Sequence, residues 1–215
     1  MERKLSLPIY VSAFIATLMI FVIGIAVGHV IDTSAMGGIS DDMSSLSHKV
    51  SAVQLLMLME GNSSSSCPVY LSELGAIDDE VEKVGYRLSY MEDEKGVFDS
   101  ELKKQYFVLE AESYLLSGKA KTLCNDKSVL LINFYSNKDC ARCREQGTEI
   151  LKARDDLVSK VPVKLYSFDG ELNSPVADAL VAQYNVTSYP TILIDGKGYS
   201  GFHTADQLKE ILLRN

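Results

Sequence analysis

A chain of 215 residues with 47% hydrophobic content can bury one or two modest cores. Its formal net charge of −8 repels phosphate backbones and argues against a nucleic acid as partner. The four cysteines, Cys67, Cys124, Cys140 and Cys143, are spaced neither as a dense disulfide framework nor as two matched metal-binding pairs.

From Leu5 to Ile31 the chain has no Asp, Glu, Lys or Arg. A helix of about 20 apolar residues spans the hydrocarbon of a bilayer. The run is too long for the apolar region of a cleaved signal peptide, and Ser34-Ala-Met-Gly37 is a poor cleavage site. Residues 5–31 are therefore expected to be a retained transmembrane helix, with the lipid bilayer as partner, behind a stub of residues 1–4. Arg3 and Lys4 precede the segment, whereas Asp32, Asp41 and Asp42 follow it before Lys49. Positive flanks stay in the cytoplasm, so the N-terminus is expected there and the rest of the chain outside, in a single-pass topology at the cell membrane. That space permits disulfides. Asn-x-Ser/Thr triplets at Asn62 and Asn185 match the glycan acceptor motif, a pattern short enough to arise by chance.

Residues 32–39, with Gly37 and Gly38, read as a flexible linker. Ser40-Asp-Asp is a helix start, and Met43, Leu46, Val50, Val53 and Met57 recur at helical spacing, which predicts a helix over 40–61. A second apolar seam runs Tyr70, Leu74, Ile77, Val81, Val84, Leu88, Met91. A third follows Asp99, a plausible cap: Leu102, Tyr106, Leu109, Ser113, Leu116, Ala120, Leu123. Glu94-Lys-Gly96 separates them, so 67–123 is expected to fold as an antiparallel helical hairpin within an extracytoplasmic helical segment, 40–126. Cys67 and Cys124 lie at nearly equal distances on either side of Gly96. Equal rise along both helices brings them side by side at the open end, within reach of a structural disulfide. The bland alternative is a pair of unbridged buried cysteines. Met43, Met57 and Met59 could line a binding groove, although a methionine-bearing helix face is more often core.

The composition changes at Lys127. Ser128 to Ser136 is a short apolar run of strand formers, broken by Asn137-Lys-Asp139 and followed by Cys140-Ala-Arg-Cys143 and a helical pattern through Ile150 and Val158. Val161 to Phe168 reads as a second strand, Ser174-Pro175 as a helix start, and Pro190 to Asp195 as a third strand. Gly196-Lys-Gly198 reads as a turn, Tyr199 to Phe202 as its returning strand, and Thr204-Ala-Asp-Gln207 as a capping box.

In this order, a Cys-x-x-Cys directly after a buried strand and the later Val186-Thr-Ser-Tyr-Pro-Thr191 make residues 127–215 resemble the thioredoxin family. The resemblance implies an α/β fold, a central mixed sheet flanked by helices, and a cis-proline loop at Tyr189-Pro190. It implies a thiol–disulfide oxidoreductase acting on protein thiols and disulfides, with Cys140 as the attacking thiol and Cys143 as its resolving partner. Ala141, Arg142, Tyr189 and Pro190 would face the substrate. No dissociable cofactor and no metal are needed. Cys140 is expected at a helix N-terminus, which favours a thiolate; Arg142 favours it further and Asp139 opposes it. Two departures weigh against a general reductase: Asp139-Cys-Ala-Arg-Cys143 lacks the Trp and Pro of thioredoxins, and Asn133 stands where they carry a buried, proton-moving Asp. A single spanning helix carries no electrons across a membrane, so a separate membrane redox partner is expected.

Two rivals remain at the level of the residues. A zinc site would need four ligands, and the only histidines are His29, His48 and His203. A non-catalytic, membrane-anchored interaction module with a helical partner-binding segment would use the same fold without the chemistry.

Overall fold

The computed structural model describes residues 7–59 and 64–214. Asn62 lies outside the described residues. The chain divides into two units, one ending at Asp42 and one beginning at Met43. Helix α1 (Leu7–Met59) runs through the first and contributes its last turns to the second.

In the first unit, Tyr10–Gly28 is long and apolar enough to cross a membrane, and none of it is buried within the protein. Phe14, Leu18, Phe21 and Ile25 all project outward. The flexible linker expected over 32–39 is not observed: these residues are helical within α1. Two glycines cost a helix about 1 kcal/mol each, and no proline interrupts the run, so the helix continues through them.

In the second unit, Met43, Leu46, Val50, Val53 and Met57 are buried. This stripe of α1 lies beside α2 (Cys67–Asp93), with Lys49 paired to Glu80 at 2.6 Å and the Tyr70 hydroxyl donating to the Leu56 carbonyl. The apolar seam of α2 is buried from Tyr70 to Met91. The turn to α3 (Ser100–Cys124) passes through Gly96 at φ +64°, a left-handed conformation that glycine adopts without Cβ strain. The Val97 N–H closes the end of α2 on the Met91 carbonyl. Asp99 caps α3, accepting the N–H groups of Glu101 and Leu102 at 3.0 Å. Helix α3 buries a second face that the simple seam did not anticipate, with Lys103, Phe107, Glu110 and Ser117 turned inward.

The remaining elements are β1 (Val129–Tyr135), α4 (Cys143–Leu157), β2 (Val163–Asp169), α5 (Pro175–Gln183), β3 (Thr191–Ile194), β4 (Lys197–Ser200) and α6 (Ala205–Arg214). The sheet order is β2-β1-β3-β4. Strand β1 is parallel to β2 and antiparallel to β3, and β3 is antiparallel to β4. This is the thioredoxin-like α/β arrangement expected for 127–215. Alternation along β1 sends Val129 and Leu131 to a core with Ile150, Ala153, Leu157 and Leu208. Phe134 faces the other way, toward Phe168, whose ring meets Phe107 of α3 edge-on.

The β3–β4 turn falls earlier than expected. Asp195 and Gly196 both have positive φ and form the two-residue turn, so Gly198 is already paired with Leu193. Asp-Gly is a strong sequence for such a hairpin turn, and it takes Gly196 into the turn while Gly198 joins β4. At α6 the capping box forms: Thr204 N–H donates to Gln207 Oε1 and Gln207 N–H to Thr204 Oγ1.

Strand β2 is an edge strand, and the helical hairpin covers it. The Ser167 N–H donates to Glu110 Oε1 at 2.6 Å. The Tyr166 hydroxyl and Lys164 ammonium both reach Asp78 of α2, and Lys164 also reaches Ser117 Oγ. Side chains of the hairpin thus satisfy groups that an open edge would offer to another chain.

Candidate functional site

Strand β1 ends at Tyr135 and delivers the chain to a loop, Ser136 to Asp139, which is stapled to the loop after β2. The Gly170 N–H donates to the Tyr135 carbonyl, Lys138 Nζ donates to the Glu171 carbonyl, and the Ser136 hydroxyl donates to the Glu171 carboxylate. The same Ser136 oxygen accepts the Lys138 N–H. Cys140 follows in a turn and is joined by a disulfide to Cys143, the first residue of α4. Cys140 is half-buried, whereas Cys143 is only 6% exposed and accepts the Ser136 N–H on its sulfur at 3.5 Å.

The helix begins later than expected. Arg142 occupies the N-cap and Cys143 the first helical position, so the unpaired N–H groups of the first turn lie closest to Cys143. Ala141 and Arg142 are exposed. The opposed pulls expected of Arg142 and Asp139 are also modified. The Arg142 guanidinium forms a two-pronged pair with Glu145 and lies 3.4 Å from the centroid of the Phe202 ring. Its charge is matched by a carboxylate that holds its pKa above the usual value.

The Tyr189–Pro190 peptide is cis. Pro190 is buried and its carbonyl accepts the Gly201 N–H, next to the Phe202 that Arg142 covers. Among the described residues no hydrogen bond engages the backbone of Tyr189. Its ring passes over Gly170, where a Cβ would stand 2.0 Å from the Tyr189 hydroxyl. Burial, with Glu171, Asp169 and Asp178 nearby, raises the pKa of that hydroxyl. On the far side of α4, buried Gln146 exchanges two hydrogen bonds with the His203 backbone and fixes the helix to the loop before α6.

A cleft of about 460 Å³ opens beside the disulfide. One wall is made by Cys140, Cys143, Asn133 and Tyr135. The other comes from the tip of the helical hairpin, Glu92 and Asp93 of α2 with Lys103 of α3. Polar bridges hold the tip there: Asn137 donates to Glu92 and Arg144 pairs with Asp93 at 2.7 Å, while Lys103 pairs with Glu92 at 2.5 Å within the tip. These residues carried no signal in the sequence, because charges at a helix end ordinarily face solvent and only the packing of the hairpin turns them toward the cleft.

Cys67 and Cys124, the first residue of α2 and the last of α3, are bridged with their α-carbons 5.4 Å apart. They lie at the end of the hairpin opposite the cleft.

No family model matches the chain. No curated protein matches it. Solved structures that are similar include the first thioredoxin domain of mouse protein disulfide-isomerase A4, at 24% identity over 45% of this chain and 69% of that one, with a TM-score of 0.33. The germline-specific thioredoxin Deadhead of Drosophila melanogaster is 22% identical over 48% of this chain and 90% of that one, with a TM-score of 0.33. The thioredoxin of Fasciola hepatica is 22% identical over 46% and 91%, with a TM-score of 0.34. Each likeness covers less than half of this chain.

Proposed function

We propose that this protein is a membrane-tethered thiol–disulfide oxidoreductase whose redox pair is Cys140 and Cys143, working on protein substrates outside the cytoplasm. The observation that carries the reading is the asymmetry of the pair. Cys140 is the more accessible sulfur, and Cys143 is buried at the start of α4. Exchange requires an attacking thiolate to reach one sulfur of a disulfide in line, and only Cys140 offers that approach. A substrate thiolate that attacks Cys140 breaks the Cys140–Cys143 bond, forms a substrate–Cys140 disulfide and leaves Cys143 as the departing thiolate. In the reverse sense, Cys143 attacks Cys140 and releases the substrate thiolate. In the forward sense a second substrate thiolate then attacks the substrate sulfur of the mixed disulfide, closes a substrate disulfide and releases Cys140 as a thiolate, so two electrons pass from substrate to the pair over both steps. Reduction of a substrate disulfide runs both steps in reverse, and no cofactor is consumed.

Tyr189 is the proposed docking strand, since its unengaged backbone can pair with an extended substrate segment. Tyr10–Gly28 is the proposed anchor, oriented by Arg3 and Lys4 on its cytoplasmic side. A separate membrane redox partner would renew the pair.

The test is the equilibrium reduction potential of Cys140/Cys143 in the full chain, held in nanodiscs and titrated against glutathione buffers. A value near about −120 mV supports disulfide formation, and one near about −270 mV supports a reducing or corrective role. Absence of any reversible couple overturns the enzyme reading and favours a non-catalytic interaction module.

A further inference from the structure

One fully buried carboxyl lies outside the redox loop and is unused by the exchange itself. Glu110 of α3 is 2% exposed. Its Oε1 holds the Ser167 N–H and the Tyr106 hydroxyl lies against the carboxyl, while Oε2 meets no partner in good hydrogen-bonding geometry among the described residues. It lines a cavity of about 280 Å³ together with Ser89, Lys103, Tyr135, Leu151 and Ser167. Those same five residues also line the cleft that holds Cys140 and Cys143. The two spaces therefore share a wall. Asn133, which sits opposite Ser167 in the parallel register, faces the cleft with its own Oδ1 unpartnered. Unsatisfied buried oxygens that border two adjoining polar cavities are positions that water molecules fill.

The exchange creates a demand for such a group. Whenever the Cys140–Cys143 bond opens, Cys143 departs as a thiolate in a site almost closed to solvent, where a bare charge is costly. Whenever the bond re-forms, the Cys143 thiol must first lose its proton. Asn133 can do neither.

We infer that Glu110 is the proton-exchange residue for Cys143, acting through water in the two adjoining cavities rather than by contact. This rests on the oxidoreductase reading of the same pair. As a substrate thiolate takes Cys140, the Glu110 carboxyl gives up its proton and Cys143 leaves as a neutral thiol. On the return step the Glu110 carboxylate takes the Cys143 proton, the thiolate attacks Cys140, and the substrate thiolate departs. Glu110 is suited to both directions because burial raises its pKa to about 8, against the opposing pull of the Ser167 N–H, Tyr106 and Lys103. That matches a thiol, and matched donors and acceptors exchange protons most readily. The other titratable groups around the two cavities are Tyr135 on β1, Glu82, Tyr86, Glu92 and Asp93 on α2, Arg144 on α4 and Asp169 at the end of β2.

The test follows the two phases in which the reduced full chain, in nanodiscs, reacts with 5,5′-dithiobis(2-nitrobenzoate). Cys140 releases the first chromophore and Cys143, attacking the mixed disulfide, the second. Wild-type protein should show a second phase whose rate rises with pH to a plateau. In E110Q the first phase is expected to be unchanged, and the second to slow by about a hundredfold at neutral pH and lose its plateau. K103M, which removes a nearby positive charge, should move the inflection to higher pH and keeps the inference testable if E110Q fails to fold. A second phase in E110Q, or an inflection in K103M, indistinguishable from wild type overturns the role of Glu110 and leaves the oxidoreductase reading intact. A wild-type protein with no second phase, or one in which C143S does not abolish it, overturns the reading beneath it.

Discussion

Replacing both Cys67 and Cys124 by serine should destabilise the second unit by an amount that can be worked out from the chain. The bridge closes a loop with a sequence separation of 57 residues. Constraining the unfolded chain over such a loop is worth about 4 kcal/mol. For a unit of this size each kcal/mol moves the midpoint by about 2–4 °C, so a fall of roughly 8–16 °C is expected. Double replacement is required because a reductant would also open Cys140–Cys143. Differential scanning calorimetry of the full chain in nanodiscs reads the loss, and amide hydrogen exchange locates it. The helix ends at Cys67 and Cys124 should exchange faster, while the tip stays protected by the Asp99 cap and the Val97–Met91 hydrogen bond. A midpoint within about 2 °C of wild type would mean that the packing of α2 on α3 already restricts the unfolded ensemble, and the loop-closure reasoning would be refuted.

Three further outcomes are expected. Because burial raises the Glu110 pKa from 4.5 to about 8, the folded state holds a proton that the unfolded state has lost across that window. Stability should therefore fall as pH rises from about 4.5 to about 8, by roughly 3 kcal/mol at pH 7, and urea midpoints for E110Q should show a flatter profile over that range. Asp99→Ala removes the side chain that holds two N–H groups of α3 and should cost about 1 kcal/mol, read as a lower urea midpoint with an unchanged slope. Gly170→Ala would set a Cβ 2.0 Å from the Tyr189 hydroxyl; it should displace that ring at a cost of about 1–3 kcal/mol and slow reaction with a protein substrate while leaving the Cys140/Cys143 potential unchanged.

Much of this architecture is legible in local pattern. The seams of α2 and α3 follow helical spacing, Gly96 breaks them, and Asp99, Thr204 and Gln207 are capping residues in sequence and in space. The parts that are not legible depend on tertiary partners. Lys103 and Glu110 are charged residues on a helix, for which burial is the exception. They turn inward because Lys103 finds Glu92 and Glu110 finds an edge N–H of β2. Composition alone could not reveal that the hairpin tip forms a wall of the cleft. The linker expectation failed for a different reason: Gly37 and Gly38 lower helix propensity without forbidding it, and propensity alone does not set a boundary.

The two disulfides are separated by the helical hairpin, and that separation bears on their roles. Cys67 opens α2, whereas Glu92 and Asp93 at its other end line the cleft of Cys140 and Cys143. At 1.5 Å per residue, a 27-residue helix is about 40 Å long. Thiol–disulfide exchange demands contact between sulfurs, so within one chain no direct exchange can connect pairs held at opposite ends of that helix. Cys67–Cys124 therefore works as a staple that keeps α2 and α3 in register. The register matters at the other end, because it decides whether Glu92 meets Asn137 and whether Glu110 meets Ser167. A hairpin that only spaced the redox domain from a membrane would need neither contact. The tip that walls the cleft makes the hairpin part of the site proposed for exchange, and the register held by Cys67–Cys124 sets where Glu110 lies behind it.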